Sequence, residues 1–317
     1  MACYAVKPAW STEAIGPTPS DSAVVETQRF ATPTTLDRIG RIVIPVRING
    51  QGPFRFVVDT GASSSTLSPG LVRSLGLSSE TKILLNGITG TAEVPAVGVQ
   101  RLQAGDLIIS DSLFPVVWAP LMAGADGILG LAGVKSPNLL VDFDRNQVQL
   151  AGRSLHWRTD LTRIHAIRLF GGLLAFKARV GRVPVNAVID TGAERTLGNL
   201  ALRDALNARA GMGRLVKTNV YGATNEVVIG EIQQAPTIVI DTLRITDTEV
   251  VYGNFHIFNT WGLEEAPALI LGMDVLGTVG TLSVDFEHQE VVIARSGGGG
   301  AGDMVRSVGG AAGRMTH

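Results

Sequence analysis

Short apolar runs alternate with Gly-, Asn- and Pro-rich turns along most of this chain, a pattern typical of β-sheet proteins. Residues 41–48 alternate apolar and polar positions as a half-buried strand does, and residues 54–58 return as a second apolar strand. Asn49-Gly50 between them is a hairpin turn signal. Residues 173–189 repeat this strand–turn–strand pattern. The pattern therefore predicts a nearly all-β fold with few helices.

The repetition extends well beyond one hairpin, because matching blocks recur in the same order in both halves of the chain. They are the apolar strands ending in Asp59-Thr60-Gly61 and Asp190-Thr191-Gly192, the helical stretches 70–75 and 197–206, the segments 127–130 and 269–272, and the closing strand pairs at 140–144 and 283–287. Ser68 suits the cap of the first helical stretch, and Pro69 suits its first turn. Such an ordered repeat indicates a duplicated chain with two similar lobes.

The duplication predicts the domain boundaries. Residues 37–155 form lobe 1 and residues 160–295 form lobe 2, with a cleft between them. Residues 1–36 are a Thr-, Ser- and Pro-rich extension, expected to cross the surface or remain loose. Residues 296–317 are Gly-rich and expected to be disordered.

The composition mainly argues against certain partners and structural features. The chain is 45% hydrophobic and 17% charged, and its net charge of -1 gives no electrostatic reason to expect a nucleic acid partner. No run of about 18 apolar residues is present, so no transmembrane span is expected. Cys3 is the single cysteine, so no disulfide can form within the chain.

The compartment stays open at this stage. Residues 1–10 lack the apolar core of a signal peptide. An exported protein, periplasmic or secreted, would need a signal upstream of this start. Otherwise the protein would be cytoplasmic.

The two Asp-Thr-Gly blocks carry the candidate chemistry. Each places a carboxylate where an apolar strand leaves the core, and Gly61 and Gly192 permit close approaches that a side chain would forbid. Two such loops can set Asp59 and Asp190 face to face across one water molecule. Carboxylates that close cannot both ionise easily, so they share one proton. The pair can then activate the water and polarise a carbonyl.

These blocks carry a resemblance to the bacterial retropepsin-like aspartic proteases, which are related to pepsins and retroviral proteases. The matching residues are Val58–Ser63, Asp126–Leu131, Ile189–Ala193 and Ile270–Asp274. The resemblance covers about residues 37–295. It implies an all-β, bilobal acid-protease fold, with both halves of the site in one chain, and an aspartic endopeptidase activity.

The resemblance also implies roles for individual residues. Asp59 and Asp190 would be the catalytic pair. Thr60 and Thr191 would grip the two lobes together, and Gly61 and Gly192 would offer backbone groups near the substrate. No metal or organic cofactor is implied. The expected partner is a peptide or protein substrate, and the expected state is a monomer because one chain completes the site.

In this family, β-hairpin flaps close over the substrate. The flap segment of lobe 1 would be residues 85–91, and that of lobe 2 would be residues 220–225. The flap residues would be Gly87, Ile88, Thr89, Tyr221, Gly222 and Ala223. A tyrosine in the second hairpin and none in the first suggests two flaps, as in retroviral enzymes. Alternatively, Tyr221 is a strand residue that packs locally.

The residue after each Asp-Thr-Gly predicts the pH range. Ala62 and Ala193 stand where pepsins carry a serine or threonine, whose hydroxyl can bond the ionised carboxylates and lower their pKa. Alanine cannot do so. We therefore expect maximal activity around pH 5–6, milder than for pepsin.

Several alternatives remain open. The cleft could belong to a non-catalytic peptide-binding protein, because a fold does not fix a function. Residues 1–36 could occupy the cleft as a pro-segment. Asp126 and Asp274 are interpreted as structural, and Asp142 and Asp285 as residues of strand-pair turns. The five histidines show no metal-ligand spacing, so a zinc peptidase is not supported.

Overall fold

The computed structural model confirms the prediction of a mostly β, two-lobed fold. It describes residues 4–5, 32–37, 39–118, 122–135, 137–150, 162–208, 215–224, 226–296 and 305–306. Within these ranges, no helix has the length and apolar character needed to span a membrane.

The first half of the chain contains twelve short to medium strands in the described residues. They are β1 (Tyr4–Ala5), β2 (Thr32–Pro33), β3 (Thr35–Leu36), β4 (Ile42–Ile48), β5 (Gln51–Asp59), β6 (Thr66–Leu67), β7 (Ser79–Asn86), β8 (Thr91–Ala104), β9 (Leu107–Pro115), β10 (Gly127–Gly130), β11 (Asn138–Asp142) and β12 (Gln147–Leu150).

The second half repeats this arrangement. Its strands are β13 (Thr162–His165), β14 (Ile167–Arg168), β15 (Leu174–Val180), β16 (Val183–Ile189), β17 (Leu197–Gly198), β18 (Val216–Tyr221), β19 (Val227–Gln234), β20 (Ile238–Ile240), β21 (Leu243–Thr246), β22 (Glu249–Tyr252), β23 (Ala268–Leu271), β24 (Thr281–Asp285), β25 (Glu290–Ala294) and β26 (Val305–Arg306). The helices in the described residues are α1 (Pro69–Ser74), α2 (Leu200–Asn207), α3 (His256–Thr260) and α4 (Met273–Leu276), and residues Phe170–Gly172 form a 3-10 turn.

Each half folds around one large sheet. The first runs in the order β1-β7-β8-β4-β5-β10-β6, with β3 on β4 and β9 on β8. The second runs β18-β19-β22-β17-β23-β16-β15-β20-β21-β26, with β14 on β15. In both, the predicted hairpin (β4–β5 or β15–β16) is central, and its second strand pairs in parallel with the predicted Leu-Gly segment. The hairpin turns where Asn49 and Gly50 both have positive φ, as the sequence signal predicts.

A third sheet joins the halves. Its six strands run β13-β25-β24-β11-β12-β2, and β11 of the first half pairs with β24 of the second. In this pairing Leu139 lies opposite Val284, and both side chains are fully buried. The predicted lobe boundaries stay a prediction. Residues 151–161, where the two predicted lobes adjoin, lie outside the described residues.

Both predicted helical stretches exist, with one shifted start. Ser68 caps α1, since its hydroxyl accepts a hydrogen bond from the Leu71 N–H at 3.1 Å. In the second half the helix begins at Leu200 and not at residue 197, because residues 197–198 form β17 between β22 and β23. Asn199 is its cap and accepts from the Leu202 N–H at 2.9 Å.

The described parts of the two termini pair with strands of all three sheets. Within the extension 1–36, strands β1, β2 and β3 pair with β7, β12 and β4. Within the predicted disordered tail 296–317, β26 pairs in parallel with β21. The rest of these segments lies outside the described residues.

Candidate active site

Asp59 and Asp190 lie at the same point of the two lobes. Asp59 ends β5, and Asp190 directly follows β16, the equivalent strand. Both side chains are fully buried. The parallel neighbours β10 and β23 complete the wall behind them. The duplicated hairpins thus bring together two carboxyl groups that are 131 residues apart.

The two loops are joined by a reciprocal set of hydrogen bonds. The Thr60 N–H donates to Thr191 Oγ1 at 3.1 Å, and the Thr191 N–H donates to Thr60 Oγ1 at 3.1 Å. Each hydroxyl donates in turn across the interface, from Thr60 to the Ile189 carbonyl and from Thr191 to the Val58 carbonyl, both at 2.8 Å. The two threonines therefore join the loops of the two lobes through four hydrogen bonds.

Backbone N–H groups also hold each carboxylate. Gly61 N–H donates to Asp59 Oδ1 at 2.8 Å, and Gly192 N–H donates to Asp190 Oδ1 at 2.9 Å. A Cβ on Gly61 would lie between 2.5 and 2.7 Å from the carboxyl atoms of Asp190, and one on Gly192 would overlap the carboxyl of Asp59. Each loop thus supplies one aspartate and the space for the aspartate of the other lobe, so both positions require glycine.

The proximity of the carboxyl groups affects their ionisation. Burial raises the pKa of Asp59 well above its ordinary value, and the negative charge and hydrogen bonding of Asp190 raise it further. Such a pair holds a shared proton more easily than it holds two charges. The arrangement can therefore supply one acidic and one basic oxygen at the same point.

The predicted Leu-Gly segments support the two Asp-Thr-Gly loops from behind. Leu131 N–H donates to the Asp59 carbonyl at 3.0 Å, and Asp190 N–H donates to the Leu271 carbonyl at 3.0 Å. Gly130 N–H donates to Ser65 Oγ at 3.2 Å, and Gly272 N–H bonds the equivalent Thr196 Oγ1 at 3.2 Å. Ser65 and Thr196, at equivalent positions of the two lobes, therefore hold the two Leu-Gly segments through the same kind of bond.

Two hairpins close over the dyad and meet at their tips. Flap 1 consists of β7, the turn 87–90 and the start of β8. Flap 2 consists of β18, the described connecting residues 222–224 and 226, and the start of β19. Thr89 Oγ1 and Thr224 Oγ1 are 2.9 Å apart and hydrogen-bonded. A Cβ on Gly222 would lie 3.0 Å from the Thr89 nitrogen, so the tips pack too closely for a side chain there. The second hairpin that the two-flap hypothesis requires is present.

Of the remaining flap residues, some pack in the contact between the two flap tips and one faces the cleft. Ile88 and Ala223 are buried, and Gly87 lies against the backbone of the opposite tip. Tyr221 ends β18, is 58% exposed and lines a cavity of about 340 Å³ beside Gly192 and Ala193. It thus faces the cleft and does not pack only within its own strand.

The cavity also contains residues that the sequence analysis did not single out. Arg41 and Glu194 are the notable ones. Arg41 is buried, and its Nε donates to Asp37 Oδ2 at 2.8 Å. Asp37 Oδ1 also accepts the N–H groups of Ile39 and Arg41, which closes this loop at the edge of the cleft. Glu194 directly follows Asp-Thr-Gly-Ala, and this position is the signal that could have identified it.

The other aspartates make local structural bonds. Asp126 Oδ2 accepts from the Arg55 N–H at 2.8 Å. Asp274 accepts from Thr196 Oγ1 at 2.7 Å, and burial raises the pKa of its carboxyl. Asp142 and Asp285 bond Arg145 and His288 beside the turns of the closing strand pairs. None of these four contacts involves the dyad.

Comparison with known proteins gives a family-level match. The family model described as aspartyl protease matches residues 44–132 and 176–275. These two ranges include both Asp-Thr-Gly blocks, both Leu-Gly segments and both flaps. No curated protein matches the chain.

Proposed function

The chain belongs to the aspartyl protease family, and from this premise we propose that it is an endopeptidase whose Asp59 and Asp190 activate one water molecule. One observation carries the proposal: two buried carboxyls, each held by its own loop, meet across an interface that the two threonines lock. Glycine at positions 61 and 192 lets the two carboxyls approach this closely.

The mechanism follows the pattern of aspartic proteases, in which two carboxyls share one proton. The ionised carboxylate accepts a proton from the water, whose oxygen attacks the scissile carbonyl carbon. The protonated carboxyl polarises that carbonyl oxygen. The resulting diol collapses as the C–N bond breaks, and the leaving nitrogen takes up a proton. The titration belongs to the pair, so neither aspartate has a fixed role before substrate binds.

An extended peptide is the substrate that this cleft fits. The outer edge of β7 accepts a strand at the end of flap 1, where Tyr4 and Ala5 pair with Asn86 and Leu85. A substrate backbone can add to such an edge in the same way. The cavity beneath flap 2 combines apolar residues with the charged Arg41 and Glu194, so it offers side-chain discrimination on that side.

The strand β1 also bears on regulation. Its backbone lies on the flap edge that a substrate strand would use, which supports the alternative that the extension 1–36 limits access. The assay should therefore compare the full chain with a chain that lacks residues 1–31. A gain in activity on truncation would assign the extension a pro-segment role.

The test is cleavage of an unfolded protein mixture between pH 3 and pH 8. The proposal expects new peptide termini from the full chain or from the truncated chain. If neither cleaves at any pH while extended peptides still bind, the chain is a peptide-binding protein that uses the same cleft, and the peptidase proposal is wrong.

A further inference from the structure

Each flap is held against the opposite lobe by a different kind of contact. The tip of flap 2 is held by apolar packing, since Ala223 is buried in a cluster with Val117 and Met122 of lobe 1. Flap 1 is held by polar contacts with α3 of lobe 2. The central residue there is His256, the first residue of α3, which is partly buried.

His256 contacts both strands of flap 1 at once. Its Nε2 lies 2.9 Å from Thr91 Oγ1 and 3.3 Å from Asn86 Oδ1. Asn86 and Thr91 face each other across the hairpin, next to the turn that Gly87 N–H and the Gly90 carbonyl close at 2.8 Å. Because Asn86 and Thr91 are the last pair before the turn, a bond to both of them holds the base of the flap tip in place.

The neighbouring hydrogen bonds fix the direction of this contact. The Thr91 hydroxyl donates its proton to Asn86 Oδ1 at 3.0 Å, so its oxygen is free to accept. Likewise the Thr260 hydroxyl, 3.3 Å from Nε2, donates to the backbone carbonyl of His256. Nε2 must therefore carry the proton. The neutral Nε2–H tautomer and the imidazolium both provide this N–H.

We propose that His256 is a positioning residue that latches flap 1 closed over the dyad. The inference rests on the proposed peptidase function for its kinetic consequence. In flap 2 the corresponding pair across the hairpin is Tyr221 and Val227, which does not repeat the Asn–Thr pair of flap 1. Opening breaks the Thr89–Thr224 bond between the tips; in addition, flap 2 withdraws the apolar side chain of Ala223, and flap 1 breaks the bond to His256.

The latch has a specific kinetic signature. A closed flap retains bound peptide, whereas the reacting atoms lie at Asp59 and Asp190 and do not contact His256. Loss of the latch should speed dissociation of the peptide and leave the chemical step nearly unchanged. KM should then rise more than kcat falls.

The test compares His256→Phe, which removes the N–H and keeps a ring, with His256→Gln, which keeps a donor at a similar reach. Asn259→Ala is the matched control, on an exposed position of the same helix. We expect His256→Phe to raise KM about two- to tenfold, the range that one hydrogen bond supplies. Amide hydrogen exchange at residues 86–91 should accelerate. His256→Gln should restore both values, and Asn259→Ala should match wild type.

Wild-type KM and wild-type exchange in His256→Phe would overturn the inference. If that variant does not fold, Thr91→Val removes the same bond from the flap side and decides by the same two readouts. Hydrogen exchange needs no substrate. Faster exchange at residues 86–91 without any cleavage would therefore support the latch while the peptidase proposal fails.

Discussion

Thr60 and Thr191 exchange backbone-to-hydroxyl hydrogen bonds in both directions, each at 3.1 Å. Each hydroxyl then donates to a carbonyl one residue before the aspartate of the other lobe. The bonds form a closed ring across the lobe interface. The positions of Asp59 and Asp190 are thereby coupled, and a change in one loop is transmitted directly to the other.

We predict that Thr60→Val destabilises the protein and that Thr60→Ser does not. Valine leaves the buried Ile189 carbonyl and Thr191 N–H without their partner, at a cost of about 1–3 kcal/mol. Serine keeps the hydroxyl. The free energy of unfolding in urea is the measurement, and equal values for the two variants would contradict the role given to the ring.

Gly192→Ala should reduce peptide cleavage about a hundredfold, because the added methyl would displace the Asp59 carboxyl and a small misplacement of a catalytic group has effects of this size. Gly98→Ala is the matched control, since nothing lies within 4 Å of its added Cβ. The measurement is the steady-state kcat/KM of both variants and of wild type on one peptide substrate. Similar values for both variants would show that the close approach at Gly192 has no functional role.

The raised pKa of Asp59 predicts how stability changes with pH. The folded state binds a proton more tightly than the unfolded chain, whose aspartate titrates near 4. Between these two pKa values the native state holds more protons, so the contribution of Asp59 to stability falls as pH rises. Asp59→Asn removes this penalty. Its Tm relative to wild type should therefore be higher at pH 7 than at pH 4.

The exposed Asp106 supplies the control for that experiment. Asp106→Asn should show the same Tm difference from wild type at both pH values. If Asp59→Asn behaves in this way too, the buried carboxyl does not resist ionisation and the shared-proton account is wrong.

The alanines after the catalytic loops predict the pH of maximal activity. Ala62 and Ala193 are both buried and offer no hydroxyl to the carboxylates. We expect a wild-type maximum around pH 5–6. Ala62→Ser and Ala193→Ser should move it towards acid, because a donated hydrogen bond stabilises the ionised form. A wild-type maximum below about pH 3 would refute the argument from alanine.

The sequence predicted the parts of the site that are local and repeated. Apolar strands that end in Asp-Thr-Gly twice, each followed by a Leu-Gly segment, determine where Asp59 and Asp190 lie. The helix start at Leu200 was missed because residues 197–206 are apolar enough for either state, and the pairing of residues 197–198 with both β22 and β23 decided it. Local pattern does not report such tertiary competition.

The contacts of the flaps with each other and with the lobes could not be predicted from the sequence, because they join residues far apart in the chain. Thr89 meets Thr224 from 135 residues away, and Thr91 meets His256 from 165 residues away. Each contact joins polar residues of types that are common in loops. No spacing or periodicity marks them, so only the folded arrangement of the two lobes identifies them.

The central claim is that Asp59 and Asp190 form one catalytic unit, and cleavage of an unfolded protein by variants of these aspartates and of a control aspartate tests it most directly. Asp59→Asn and Asp190→Asn should each abolish cleavage, while Asp106→Asn should cleave as wild type does. Losses in residues that act as a unit are not additive, so the double variant should be no worse than either single one. Cleavage that persists in either single variant would contradict the claim.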